Sequence, residues 1–326
     1  MNFMLDVQIS EPEIKINYND PILLTGSCFT EHIGNYLKDL KFNILQNPNG
    51  ILFDPQSVAT SIVSYIQDKK YNDADIFYLN ELWQSWQHHS IFSNADKDRC
   101  LQKINQSQTE AHSFLSGAKW LSITLGSAFL YRLSENKIPV ANCHRAPAQM
   151  FTKYLMTIEE INSVMDNCIH QLFKFNPHLR IILTVSPVRH IRDGVIENNR
   201  SKARLIEAVH HLANKFERIY YFPAYELVID VLRDYRFYDT DMVHPNYAAT
   251  EFVLEKFVNH FIDEPSQLLI QEIKKIVTAK KHKPFHPGTN IHRIFLKDHL
   301  NKTILLKERY PFLNFDEEMD FFSSTL

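Results

Sequence analysis

Short apolar runs alternate with longer segments in which apolar residues recur every three or four positions, from residue 21 to beyond residue 245. The runs predict strands at about 21–26, 42–46, 119–126, 179–186 and 218–222. The periodic segments predict helices at about 30–40, 54–68, 157–175 and 196–215, with more after 245. Alternation of this kind builds a parallel, doubly wound sheet. Leu121 to Leu125 and Ile181 to Val185 are almost wholly apolar, which suits strands covered by helices on both faces. The expected fold is therefore α/β, a mainly parallel sheet flanked by helices.

The pattern breaks twice. Between about 72 and 117 lies an insertion with Trp83, Trp86, His88 and His89, followed by a polar stretch from Asn94 to Glu110 that predicts an exposed helix. Tryptophan is usually spent on burial, so the segment reads as a helical insertion clasped to the sheet; a pocket wall, with His88 or His89 reaching the site, is the alternative. From about 263, Lys274, Lys275, Lys280, Lys281 and Lys283 crowd a stretch that predicts a solvated helix face, and an aromatic-rich segment ends the chain. Phe312, Phe315, Phe321 and Phe322 can dock on the core or on a second copy of the chain, which leaves a homo-oligomer open. The organisation expected is a domain over 1–262, carrying the insertion, and a helical extension over 263–326.

Composition narrows the function. The 326 residues, 44% hydrophobic, can bury a substantial core. With 35 basic and 38 acidic residues well mixed, the net charge of −3 offers no cationic face for a phosphate backbone, and nucleic acid is not an expected partner. The N-terminus lacks a basic start followed by an apolar core, and no apolar run reaches the roughly 18 residues that a membrane span needs. The expectation is a soluble cytoplasmic protein with no membrane partner. Cys28, Cys100, Cys143 and Cys168 have neither zinc-ligand spacing nor the density of a disulfide scaffold, so reduced thiols, no metal and no cofactor are expected. Only 7 glycines are present, and Gly26, Gly50 and Gly126 all follow or end apolar segments, where a parallel sheet presents its carboxyl ends.

Two segments carry candidate chemistry. Gly26-Ser27-Cys28-Phe29-Thr30-Glu31 puts a serine on a strand-to-helix turn, where its hydroxyl is exposed at the sheet edge near the following backbone amides. The ordinary alternative is a helix cap. Asp241-Met242-Val243-His244-Pro245 puts a carboxylate three residues before an imidazole, a spacing that lets the acid hold one ring nitrogen while the other meets a nucleophile. Asp241 as a cap and His244 as a surface residue are the bland alternatives. Cys28 is a rival nucleophile beside the helix N-terminus, although a small thiol there also suits packing.

Taken together, Gly26-Ser27-Cys28-Phe29, Asn47-Pro48-Asn49-Gly50-Ile51, Ala141-Asn142-Cys143-His144, Thr184-Val185-Ser186-Pro187-Val188-Arg189-His190, Tyr221 to Glu226 and Asp234 to Tyr238 resemble the GSCFA domain family, within the SGNH (GDSL-like) hydrolases, over about 20–260. The resemblance implies a three-layer, flavodoxin-like sheet and a serine esterase. Ser27 would attack an ester carbonyl, His244 would move the proton, and Asp241 would fix the imidazole. Backbone N–H groups of Ser27 and Gly50 would hold the oxyanion, helped by an asparagine side chain. The superfamily's Gly-x-Asn-Asp turn is here Gly126-Ser127-Ala128-Phe129, so Asn142 is the substitute donor, with Asn49 and Ser127 behind it; Asn142 as a turn-stabilising amide is the alternative. Arg189 with His190, and His144 with Arg145, follow strands and could bind a carboxylate or phosphate of the substrate, whereas Arg189 could instead pair with Asp193. The expected substrate is a small-molecule or carbohydrate ester that loses a short acyl group such as acetyl. Acyl transfer from the same serine, and a binding module without catalysis, are the alternatives.

Overall fold

A computed structural model describes residues 4–324. Its strands are β1 (Ile22–Gly26), β2 (Ile44–Gln46), β3 (Phe77–Leu79), β4 (Leu82–Gln84), β5 (Trp120–Leu125), β6 (Phe129–Leu133), β7 (Pro139–Val140), β8 (Phe151–Leu155), β9 (Arg180–Val185) and β10 (Ile219–Tyr221). Its helices are α1 (Cys28–Asp39), α2 (Pro55–Ile66), α3 (Lys97–Gly117), α4 (Ile158–Phe175), α5 (Val195–Lys215), α6 (Ala224–Glu226, continuing into a π-turn over Leu227–Leu232), α7 (Tyr247–Phe261), α8 (Glu264–Lys281), α9 (Asn290–Arg309) and α10 (Asp316–Ser324).

Five strands form one parallel sheet in the order β10-β9-β5-β1-β2. Residues of opposite parity along each strand feed two cores. Ile22, Leu24, Trp120 and Ile182 join α1 and α7 on one face; Leu23, Leu121, Ile123, Leu125, Ile181, Leu183 and Val185 join α2, α4 and α5 on the other. That double burial is why the strand sequences run apolar without alternation. Side-chain caps fix the helix starts: Asp54 accepts from Ser57 N–H ahead of Pro55, and Thr157 with Glu160 forms a capping box.

The order reverses between β1 and β5, so the loops that follow these strands open a crevice at the carboxyl edge, the usual ligand position in an open α/β sheet. Gly26 pairs with Thr124, and Thr124 with Thr184, which brings the ends of β1, β5 and β9 level.

The insertion, expected to be helical, carries a β3–β4 hairpin ahead of its helix. Asn80 and Glu81 both take positive φ (52° and 64°), forming a two-residue turn, and Phe77 stacks on Trp86 at 3.7 Å between ring centroids. Its helix, α3, begins at Lys97 and runs to Gly117 rather than spanning Asn94 to Glu110. A second antiparallel sheet, β7-β6-β8, fills the segment between β5 and α4, which the periodicity did not reveal. In the extension, Phe315 and Phe322 are buried in the same core as β1 and α1, while Phe312 stays 54% exposed.

Candidate active site

Ser27 is the N-cap residue of α1, yet its side chain makes no capping bond. Its hydroxyl is fully buried and has no hydrogen-bond partner. The turn around it is fixed by other groups. Asn47, in the left-handed region at φ 46°, accepts from Gly26 N–H through Oδ1 at 3.0 Å; Leu52 N–H donates to Gly26 O at 2.9 Å; and Gly126 and Ser127 N–H both donate to Phe53 O at 2.8 and 3.0 Å. The loops after β1, β2 and β5 are thus tied to one another. Gly26 has to be glycine, because its φ is 137° and a Cβ there would overlap Thr124 O.

Asp241 and His244 form the pair that their spacing suggests. Asp241 Oδ2 accepts from His244 Nδ1 at 2.6 Å, and Oδ1 accepts from the backbone N–H of Val243 (2.8 Å) and His244 (3.0 Å). The bond from the ring, then those two amides, hold the carboxyl well below its usual range, at about 2. With Nδ1 engaged, Nε2 is the ring nitrogen left for proton transfer. Ser27 Oγ and His244 share no direct hydrogen bond.

Arg189 does not pair with Asp193, which bonds Lys153 instead. It braces the loop that carries the pair: its N–H donates to Val243 O (3.2 Å), its guanidinium donates to Met242 O (3.4 Å) and stacks over Tyr238 at 4.1 Å. With its charge taken up by loop carbonyls and tyrosine faces, it is a brace rather than an anion receptor.

His190 enters the site. A Cβ built on Gly126 would lie 3.1 Å from Ser27 Cβ, 3.1 Å from a Phe53 ring carbon and 3.3 Å from His190 Nε2, so glycine at 126 leaves the imidazole and the serine on either side of one small space. Nε2 is buried and has no hydrogen-bond partner. Burial first, then the neighbouring Lys202, His244 and Lys153, push the imidazole down to about 4, with Asp193 opposing. The ring is neutral at pH 7 and supplies no charge for a substrate anion, contrary to the expectation from sequence.

Several donors and ligands expected from sequence are already committed. Ser27 N–H donates to Thr124 O (3.0 Å) and Gly50 N–H to Asn47 O (2.7 Å), so neither backbone oxyanion donor is free. Asn142 serves the turn: its Oδ1 accepts from His144 N–H at 2.8 Å. Asn49 donates through Nδ2 to Gln87 O at 3.1 Å and so latches the insertion, while Ser127 Oγ bonds Phe129 N–H and lies 3.3 Å from Ser201 Oγ. His144 is buried, with Nε2 on Ser85 O (2.8 Å) and Nδ1 on Ser90 Oγ (3.2 Å). His88 packs inside the insertion against Tyr71 and Phe92, and burial pushes it down to about 3. The histidine that touches a loop of the site is His89, whose Cβ would be struck by a side chain at Gly50. Burial raises the Cys28 thiol above its ordinary value, which disfavours the thiolate that a rival nucleophile needs.

The periodicity concealed a polar stripe on α5. Asn198, Ser201 and Lys202 are all buried and tie down the loops after β5 and β9: Asn198 Oδ1 accepts from His190 N–H (2.8 Å), Ser201 Oγ from Ala128 N–H (2.7 Å), and Lys202 Nζ donates to Gly126 O (2.7 Å) and Ser186 O (2.6 Å). Burial pushes the Lys202 amine down to about 7, with the neighbouring Cys28 opposing. Their signal was present: residues 198, 201, 202, 205, 208, 209 and 212 trace one helical stripe whose first members are polar. Among the described residues, no group of three or more His, Cys, Asp or Glu side chains is placed to hold a metal ion. Among the same residues, no helix is long and apolar enough to cross a membrane.

Comparison with known families matches the GSCFA family over residues 21–257 and the GSCFA domain protein, C-terminal domain, over residues 273–326. Curated proteins give no match. Among solved structures, a carbohydrate esterase family 3 protein from Talaromyces cellulolyticus is similar at 9% identity and TM-score 0.37, over 78% of this chain and 99% of that one. The acetyl xylan esterase Est2A from the rumen bacterium Butyrivibrio proteoclasticus is similar at 10% identity and TM-score 0.36, over 75% of this chain and 64% of that one.

Proposed function

From its membership of the GSCFA family, to which the chain belongs, we propose that this protein is a serine esterase that removes a short acyl group from an alcohol or carbohydrate. One observation carries the reading: Ser27 stands at the sheet's switch point and the start of a long helix, and its buried hydroxyl is spent on neither the cap nor any other partner. A buried hydroxyl left unpaired costs free energy, so such a group is the kind that a substrate would engage.

Ser27 Oγ attacks the ester carbonyl as His244 Nε2 takes its proton; Asp241 holds the imidazole tautomer and stabilises the cation; the proton then passes to the leaving alkoxide, and water repeats the cycle on the acyl-enzyme. Catalytic hydrogen bonds often close only in the Michaelis complex, so a Ser27 hydroxyl that is not bonded to His244 is compatible with this sequence of steps. The crowding of Gly126, Phe53 and His190 beside the serine favours an acyl group of acetyl size. Acyl transfer would use the same serine with an alcohol in place of water.

The committed amides of Ser27 and Gly50 favour one second reading, a ligand-binding module without catalysis. A fluorophosphonate probe separates them. Labelling of Ser27 that is abolished by Ser27→Ala and kept by Cys28→Ala supports the esterase; an unlabelled wild-type protein supports the binding module. Comparing acetate release with and without a sugar acceptor then separates hydrolysis from transfer.

A further inference from the structure

Attack by Ser27 would leave a negative oxygen on the tetrahedral intermediate, and the donors that the sequence suggested for it are engaged elsewhere. We propose that His190 is the side-chain donor to this oxyanion, its imidazole presenting Nε2–H across the space left by Gly126 to the adduct formed on Ser27. This deepens the esterase reading and rests on it.

Three features carry the assignment. His190 Nε2 and Ser27 Oγ are both buried without partners, and Nε2 and the Ser27 Cβ that carries the hydroxyl flank the same position beside Gly126. A buried ring nitrogen with no hydrogen-bond partner is costly, and beside an equally unpartnered serine hydroxyl it is available to a group formed at this place. The ring is also held from behind, because its backbone N–H donates to Asn198 Oδ1 and its face meets Phe53 edge-on at 5.2 Å and 82°. Donors preorganised in this way stabilise developing charge without reorganising during the reaction. Burial first, then the neighbouring Lys202, His244 and Lys153, keep the imidazole uncharged at neutral pH against the opposing carboxylate of Asp193. A neutral ring can donate from Nε2 without competing with His244 for the serine proton.

The test compares hydrolysis of 4-nitrophenyl acetate by wild type, His190→Gln and His190→Phe, with fluorophosphonate labelling followed in each. Glutamine places an N–H near the Nε2 position, whereas phenylalanine keeps a ring against Phe53 and removes the donor. The expected result is a kcat lower by about 10²–10³ in His190→Phe, the usual cost of one oxyanion donor. KM should stay within about threefold, and His190→Gln should recover at least about tenfold of the lost kcat. Unchanged turnover in a folded His190→Phe protein, or equal loss in both variants, overturns the assignment while leaving a labelled Ser27 intact. Failure of the wild-type protein to label removes the esterase reading itself, and the donor with it.

Discussion

Asp54 carries a carboxyl where the fold buries it. It caps α2 through Oδ1 on Ser57 N–H, and burial pushes its carboxyl up to about 6, against the lowering effect of that bond. The folded state then binds more protons than the unfolded one between about pH 4 and 6, so this group's contribution falls as the pH rises through that window and is lost above it. A displacement of that size corresponds to about 3 kcal/mol. An asparagine at this position keeps the capping oxygen without the charge. Asp54→Asn is therefore expected to match wild type near pH 4 and to exceed it by about 2–3 kcal/mol at pH 7 in urea unfolding. A variant less stable than wild type at pH 7 would refute this. His88 and His190 titrate with the opposite slope, so only the difference between the two proteins isolates Asp54. At this scale the place of Ser27 on its turn and the hydrogen bond between Asp241 and His244 were legible from spacing, because turn and cap chemistry is local. It hid the commitments of the Ser27 and Gly50 amides, whose acceptors are fixed only once the turns have folded.

Among elements, the loop that carries Asp241 and His244 is closed by a bridge between Tyr238 and Pro245 and leans on the segment that follows β9. Arg189 supplies that support through Met242 O and the faces of Tyr235 and Tyr238, at 5.4 and 4.1 Å. Arg189→Ala is expected to loosen the loop and lower kcat on 4-nitrophenyl acetate by about 10- to 100-fold, since misplacement by about 1 Å can cost as much. Labelling of Ser27 should still reach completion, though more slowly. A variant with wild-type kcat would show that the loop stands without its brace. The elements of the main sheet were legible because strands buried on both faces read as unbroken apolar runs, and the predicted boundaries fall within a few residues of those observed. The β3–β4 hairpin was not, because Asn80-Glu81 takes a positive-φ turn without glycine. Nor was β7-β6-β8, whose half-buried residues mix Phe129 and Tyr131 with Arg132 and Lys153 and leave no clean period of two.

For the molecule as a whole, the question is whether residues 263–326 fold apart from the rest. Leu269, Ile273, Leu296, Phe315 and Phe322 share one core with Ile22, Phe29 and Trp120, which ties the extension to the face of the sheet under α1. An ion pair crosses the same boundary: Lys41 Nζ lies 2.8 Å from Glu318 Oε2, with the glutamate side chain 4% exposed, and Lys280 adds a longer contact at 3.4 Å. Removing one partner of a buried pair leaves an uncompensated charge, whereas replacing both by apolar groups is often close to neutral. Lys41 retains some exposure, so Glu318→Ala is expected to cost about 2 kcal/mol, below the usual figure for a fully buried pair. Lys41→Met with Glu318→Leu should recover much of that loss, Lys280 keeping Glu317 as its partner. Both variants should unfold in a single cooperative transition. Two separated transitions in wild-type protein, or a loss for Glu318→Ala under about 0.5 kcal/mol, would mean that the extension is a loosely attached unit.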